Sequence, residues 1–271
     1  MSNLNEAEDY KILSFETDAK IPEVKNENDI IKFNEAQEVA QPTTKHKLGA
    51  YHYFKRGLDI AISSVALVLL SPVFLATSIA IKLDSKGPVI FKQQRIGKDG
   101  KIFEIYKFRS MAADNDASDL STPDKHTKVG DFIRKTSIDE LPQLVNILKG
   151  DMAIIGPRPW TPVYYQDMTE EQKHRYDVLP GITGLAQASG RNCTNVIDRI
   201  NYDLEYVQNY NLKSDIDIVF KTLKVVVCKD DGADGGKDTV QNDLDLLRNQ
   251  HLNLDNNVNL ENETTNTYTE V

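Results

Sequence analysis

From Ile60 to Ile81 the chain carries 22 residues without a charge, between Lys55 and Arg56 on one side and Lys82 and Lys86 on the other. As one helix this run is about 33 Å long, close to the hydrocarbon thickness of a bilayer. Ser71 and Pro72 fall at its middle. Proline offers no N–H to the carbonyl of Val68 and its ring crowds the preceding turn, so the run predicts a kinked helix. The Ser71 hydroxyl is placed to bond back to that turn, which leaves no backbone group unpaired in lipid. Basic residues flank both ends, where a spanning helix shows a one-sided bias; this favours a re-entrant hairpin entering and leaving by the cytoplasmic face. An ordinary spanning helix with a proline kink is the alternative. The run starts too far from Met1 to be a cleaved signal peptide.

Downstream the period changes. Gly87–Phe91 and Lys101–Phe108 are β-branched and aromatic and flank Gly97-Lys-Asp-Gly100, a hairpin signal. Lys107 and Arg109 alternate with Tyr106 and Phe108, which predicts two cations on one strand face, either a solvated surface or a floor for a diphosphate. Val129–Thr136 reads as a short helix containing Arg134. Ser137-Ile-Asp139-Glu140-Leu-Pro142-Gln then reads as a helix start, with Ser137 and Glu140 spaced for a capping box and Pro142 favouring a start nearer Asp139. Leu141, Leu144 and Leu148 share a face and are expected in the core, with Gly150 ending the helix. Met152–Pro159 predicts a strand ending in a turn, where prolines fix the backbone on both sides of Arg158. Leu179–Arg191 reads as a glycine-spaced loop ending in a second arginine, Arg191. Asp198–Asn209 and Asp215–Val227 predict closing helices, the second lying partly on a membrane.

Charge divides the chain into three. Lys45 to Lys229 holds 26 Lys plus Arg against 21 Asp plus Glu, whereas the two ends hold 6 against 20. The ends are rich in Asn, Glu, Asp and Thr and bury too little to offset ordering entropy. Residues 1–48 and 230–271 are therefore expected to be mostly disordered tails, with a short amphipathic helix at Leu244–Leu254. Between them the expected units are a helix-break-helix over 49–84 and a catalytic part over 85–229. The expected class is α/β (α+β): a small mixed or antiparallel sheet, surrounding helices and the membrane hairpin. The basic middle suits an anionic membrane surface and phosphate-bearing ligands. It lacks a basic run or motif for nucleic acid. Cys193 and Cys228 are far apart and without metal-ligand spacing, which argues for a reducing compartment and against structural zinc.

Asp139 and Glu140 are the candidate chemistry. Acids in a first helical turn also complement the helix dipole without reacting. Adjacent side chains on a helix point about 100° apart, so one is able to attack or take a proton while the other binds a metal. Arg158, held between prolines, presents a guanidinium suited to phosphate or a nucleobase edge.

The ordered series Lys55-Arg-Gly-Leu-Asp59, Ser71-Pro72, Gly87-Pro88, Gln94-Arg-Ile-Gly97, Lys107-Phe-Arg109-Ser-Met111, Asp139-Glu-Leu-Pro-Gln143, Gly156-Pro-Arg-Pro159 and Pro180-Gly-Ile-Thr-Gly184 resembles the monotopic phosphoglycosyl transferases, the bacterial sugar transferase family that initiates surface polysaccharide and glycoconjugate assembly. The resemblance runs from about Lys55 to Val227. It implies transfer of a sugar-1-phosphate from a UDP-sugar to undecaprenyl phosphate with release of UMP, on the cytoplasmic face of a bacterial cell membrane. By the same resemblance Asp139 attacks the β-phosphorus, Glu140 binds Mg2+ with Asp139 sharing it, and Lys107, Arg109, Arg134, Arg158 and Arg191 lie near diphosphate, uridine or lipid phosphate. Downstream glycosyltransferases are the implied protein partners. The chain departs from larger relatives in lacking several spanning helices before the catalytic part, in Leu185 where many have Trp, and in Trp160-Thr161 after the Pro-Arg-Pro turn. A noncatalytic membrane scaffold and a conventional glycosyltransferase releasing UDP are the competing readings.

Overall fold

A computed structural model describes residues 49–112, 126–190, 195–228 and 242–250. Ser71 and Pro72 divide the uncharged run into α1 (Ala50–Leu69) and α2 (Ser71–Asp84), bent by 60°. Ser71 Oγ donates to the carbonyl of Val68 at 2.8 Å, the bond expected of a hydroxyl beside a proline break. Among the described residues no single helix is long and apolar enough to cross a membrane, but this bent pair passes that test jointly.

The start of α1 is fastened by charge. Lys55 Nζ lies 2.6 Å from Asp215, which also accepts from the hydroxyls of Tyr51 at 2.6 Å and Tyr206 at 2.8 Å. Asp215 belongs to the long closing helix, and Asp59, one turn after Lys55, accepts the backbone N–H of Ile154. Buried carboxylates need such donors, and these seat the start of the bent pair on the rest of the fold.

Strand β1 (Ile90–Ile96) pairs antiparallel with β2 (Ile102–Phe108), Ile90 opposite Phe108 and Ile96 opposite Ile102. The hairpin stands where expected, but β1 begins at Ile90, since Gly87 has a φ of 123° that no strand accommodates. The expected single sheet is instead two separate pairs. The second joins β3 (Ala153–Ile155) in parallel to β4 (Gly181–Thr183). Part of the supposed glycine loop is thus a strand. Its glycines are there because the backbones touch: a Cβ on Gly181 would sit 2.1 Å from the nitrogen of Gly156, and one on Gly156 would sit 2.3 Å from the carbonyl oxygen of Leu179.

Helix α3 (Lys128–Lys135) is capped by Thr127, whose Oγ1 accepts from the N–H of Gly130 at 2.9 Å. Asp84, at the end of α2, accepts from the N–H of Val129 at 3.0 Å. Ile81, Phe108 and Ile133 bury together and bind α2, β2 and α3 into one unit. Helix α4 (Gln143–Lys149) follows and packs Leu144 and Ile147 against Ile105 and Met152. Leu148 does not join that core: it is exposed at the end of the helix, and Ile147 takes the buried position beside it.

Short helices α5 (Glu170–Lys173) and α6 (Leu185–Ala188) precede the closing pair α7 (Val196–Gln208) and α8 (Leu212–Cys228). The amphipathic helix expected at Leu244–Leu254 is helical over its described part, 242–250, named α9. Its Leu244 and Leu247 bury among Trp160, Tyr164, Tyr176 and Ile200. Asp243 pairs with Arg199 at 2.9 Å, and Arg248 with Asp167 at 2.9 Å. The other residues expected as tails lie outside the described ones, as does Cys193.

Candidate active site

The acidic pair does not open a helix. After α3, Ser137 takes the left-handed conformation (φ 54°) and makes no side-chain cap, so the expected capping box is absent. The chain reverses there into a single 3-10 turn, Ile138–Glu140, and α4 begins only at Gln143 with Pro142 before it. Proline tolerates the position before a helix because it has no N–H to satisfy, which explains why the start falls after it. The pair therefore sits on a tight reversal between two helices.

Lys107, from β2, reaches this turn. Its Nζ lies 2.6 Å from Glu140 Oε1 and 3.9 Å from Asp139 Oδ2. Arg158, from the Pro-Arg-Pro turn after β3, donates from Nη2 to the same Glu140 oxygen at 3.3 Å. Arg134 lies near enough for its charge to act on Asp139. Three of the five predicted cations therefore converge on the carboxylates. Arg109 does not: its guanidinium donates to the carbonyls of Ser85 and Lys86 at 2.8 and 2.9 Å, closing the end of α2, because β2 ends at Phe108 and the next side chain leaves the strand face. Arg191 lies outside the described residues.

Burial pushes the Asp139 carboxyl above its usual range, against the pull of Lys107; the neighbouring Glu140 charge pushes the same way. Burial also raises Glu140, but the charges and hydrogen bonds of Arg158 and Lys107 outweigh it and hold that carboxyl at about 2. Adjacent acids driven in opposite directions are suited to different jobs. Both are desolvated, but only Glu140 has cations bonded closely enough to fix it as an anion, and Asp139 beside it holds a proton more readily.

Sequence reasoning missed what holds Arg158. Arg175 is wholly buried, donates to Asp203 through Nε at 3.0 Å, and donates through Nη2 to the carbonyl of Arg158 at 2.9 Å. Its guanidinium lies 4.0 Å from the ring centre of Trp160. Trp160 is thus a buried platform, and Leu185 is buried against Ile155 and Tyr206. Nothing in the local sequence pairs Arg175 with a carboxylate 28 residues away.

Among the described residues no third His, Cys, Asp or Glu completes a metal cluster with the acidic pair. Two carboxylates fit Mg2+, which commonly takes one or two such ligands and completes its shell with water and substrate phosphates. Among the described residues, the Lys107 and Arg158 contacts of Glu140 both fall on Oε1.

A family model described as "Bacterial sugar transferase" matches residues 50–229. The UDP-glucose:undecaprenyl-phosphate glucose-1-phosphate transferase of Escherichia coli (strain K12) is 42% identical over 187 residues, covering 65% of this chain and 40% of that protein. The UDP-N-acetylgalactosamine-undecaprenyl-phosphate N-acetylgalactosaminephosphotransferase of Aeromonas hydrophila is 41% identical over 187 residues, 65% of this chain and 44% of that protein. A UDP-glucose:undecaprenyl-phosphate glucose-1-phosphate transferase of Caulobacter vibrioides (strain ATCC 19089 / CIP 103742 / CB 15) is 39% identical over 188 residues, 65% of this chain and 70% of that protein. The matched part thus spans less than half the length of the first two relatives.

Proposed function

Since the chain belongs to the bacterial sugar transferase family, we propose that it transfers a sugar-1-phosphate from a UDP-sugar to undecaprenyl phosphate and releases UMP. The observation that carries this is the turn at Asp139 and Glu140, held under Lys107 and Arg158 with its two carboxyls displaced in opposite directions. The names of the relatives, which specify undecaprenyl phosphate as acceptor, support the same reading.

In the proposed reaction a carboxylate oxygen of Asp139 bonds to the β-phosphorus of the donor. The bond from that phosphorus to the bridging oxygen breaks, and UMP departs with the electron pair. An oxygen of the lipid phosphate then attacks the same phosphorus and Asp139 leaves as a carboxylate. Dividing the transfer means that a water-soluble donor and a lipid acceptor never have to meet in one complex. Lys107 and Arg158 orient the phosphoryl oxygens and stabilise the charge that collects on them. Glu140 keeps these cations in place and, with Asp139, would hold Mg2+. Bound there, the ion supplies neutralisation of the diphosphate charge.

The bent pair α1–α2 is proposed to lie in the cytoplasmic face of a bacterial cell membrane. Val65, Val68, Leu69, Leu75 and Ile79 are exposed along it, and Ile216, Val219, Phe220 and Leu223 are exposed along α8. Apolar side chains gathered on a surface in large numbers are uncommon where it faces only water.

The test is nucleotide release by detergent-purified protein given Mg2+, undecaprenyl phosphate and a panel of UDP-sugars, beside Asp139→Asn. UMP from one donor, lost in the variant, is expected and identifies the sugar. UDP in place of UMP means a conventional glycosyltransferase, and no nucleotide from any donor overturns the proposal in favour of a scaffold.

A further inference from the structure

Helix α9 lies beyond residues 50–229, the part that the family model matches, yet it is built into a core. Asp243, Leu244 and Leu247 share one face at helical spacing and are buried, with Gln250 half-buried one turn on. A helix this short is marginal in water by itself, so α9 owes its form to the surface under it. That surface comes from α7 and from the segment that follows Trp160. Asp243 takes Arg199 of α7 at 2.9 and 3.0 Å, Arg248 takes Asp167 at 2.9 Å, and the Gln250 side chain accepts from Gln172 at 3.0 Å. Leu244 and Leu247 bury in the cluster that contains Trp160 and Tyr164. We infer that α9 is a positioning element for the acidic turn: it braces Trp160, and through Trp160 and Arg175 it keeps Arg158 on Glu140. The kinetic part of this inference rests on the reaction proposed above.

The path from α9 to the acidic pair is continuous. The Tyr164 hydroxyl lies 3.4 Å from Asp243 Oδ2, and the ring centres of Tyr164 and Trp160 are 4.9 Å apart. The Arg175 guanidinium, 4.0 Å from the Trp160 ring centre, donates to the carbonyl of Arg158, and Arg158 donates to Glu140.

Trp160 matters because hydrogen bonds alone do not lock Arg175. Its Nε and Nη2 both donate to one oxygen of Asp203, Oδ2, instead of forking across the carboxylate. Among the described residues, Arg175 Nη1 and Asp203 Oδ1 are buried without a hydrogen-bond partner. A two-oxygen fork fixes the plane of a guanidinium, whereas two bonds that meet at one oxygen let it pivot there. The Trp160 face removes that freedom. The Trp160 backbone is tied by its carbonyl, which accepts from Ile96 N at 2.9 Å. Its ring is held by packing, and α9 is part of that packing.

The experiment uses the full chain with Leu247→Glu, which puts a charge into the cluster and releases α9, and with Leu247→Met as the conservative partner. Each is made alone and together with Arg158→Ala. For the UDP-sugar that yields UMP, kcat/KM is expected to fall about tenfold in Leu247→Glu and to stay within about twofold in Leu247→Met. In the Arg158→Ala background Leu247→Glu is expected to change nothing further, because the side chain it displaces is already gone. Amide hydrogen exchange gives a readout free of the reaction. Release of α9 is expected to speed exchange over 161–172, on which it rests, and also at Glu140 and Leu141, whose N–H groups close the acidic turn onto Ser137 and Ile138. Asp243→Asn gives the same pattern on a smaller scale and replaces Leu247→Glu should that variant fail to fold. Faster exchange confined to 161–172 with kcat/KM unchanged would overturn the inference and leave α9 a cover. An equal loss of kcat/KM in the Arg158→Ala background would overturn it too, since lower stability alone produces that result. Exchange transmitted to Glu140 and Leu141 in protein that releases no UMP keeps the bracing and overturns the proposed reaction instead.

Discussion

Arg175 donates to the backbone carbonyl of Arg158 at 2.9 Å while its Nε donates to Asp203 at 3.0 Å. The arginine that touches Glu140 is thus aimed by a second arginine that touches no carboxylate of the acidic pair. Removing Arg175 strands a buried anion, and Arg175→Met is expected to cost about 3–5 kcal/mol of stability in urea denaturation. Arg175→Met with Asp203→Leu restores most of that stability, because neither charge is then left unpaired. UMP release stays low in the double variant, since the Arg158 carbonyl has still lost its donor. Recovery of both stability and turnover would confine Arg175 to a packing role.

Glu140 ties stability to pH. Its carboxyl falls from the ordinary 4.5 to about 2 in the folded protein, so the unfolded chain binds the proton more readily. The stabilisation is present above pH 4.5 and is lost as pH falls through about 2. Glu140→Gln is expected to flatten this part of the acid limb when urea midpoints are compared across that window. A limb of unchanged slope would mean that Lys107 and Arg158 do not hold the carboxylate in solution.

Pro72→Ala restores an N–H at the bend between α1 and α2 and is expected to reduce the 60° angle. With the pair inserted from one face, cysteines placed at Gly49 and Ser85 react with an impermeant thiol reagent from the same side. In the Pro72→Ala protein the straighter helix moves one of them to the opposite side. Identical labelling in both proteins would show that the proline does not set the topology.

Leu247 lies in the cluster that contains Trp160, the only tryptophan of the chain. Leu247→Ala is expected to cost about 2–5 kcal/mol and to shift Trp160 emission to longer wavelength as water enters. Ending the chain after Cys228 gives the larger shift. Emission unchanged by the truncation would mean that α9 does not cover this cluster.

Local chemistry was legible in the sequence where neighbours decide it. The Ser71-Pro72 break and the β1–β2 hairpin follow from residue type and order, whereas the meeting of Glu140 with Lys107 and Arg158, 33 and 18 residues away, was implied only by the family resemblance. The strand β4 was not legible, because Gly181-Ile-Thr183 has loop composition and becomes a strand only through contact with β3. The turn at Ser137 was misread for a related reason: a serine before an acidic run favours a cap, and here the reversal between two packed helices imposes a left-handed residue instead. Arg109 was misplaced because alternation assigns its Cβ direction, while two carbonyls at the end of α2 capture its long side chain. Arg175 and Asp203 gave no signal because buried pairing is settled by tertiary distance.

Gly156 and Gly181 have a consequence for how this chain tolerates change. Each occupies the space a side chain on the other would need, as Gly181's absent Cβ shows at 2.1 Å from the Gly156 nitrogen. A repair at one position therefore cannot compensate a fault at the other. In a library randomised at both codons and selected for folded protein, survivors should read glycine at both sites, with no second solution in which alanine at one is rescued by the other. The turn bearing Arg158 begins immediately after Gly156, so Arg158 inherits that intolerance from a neighbour with no side chain of its own.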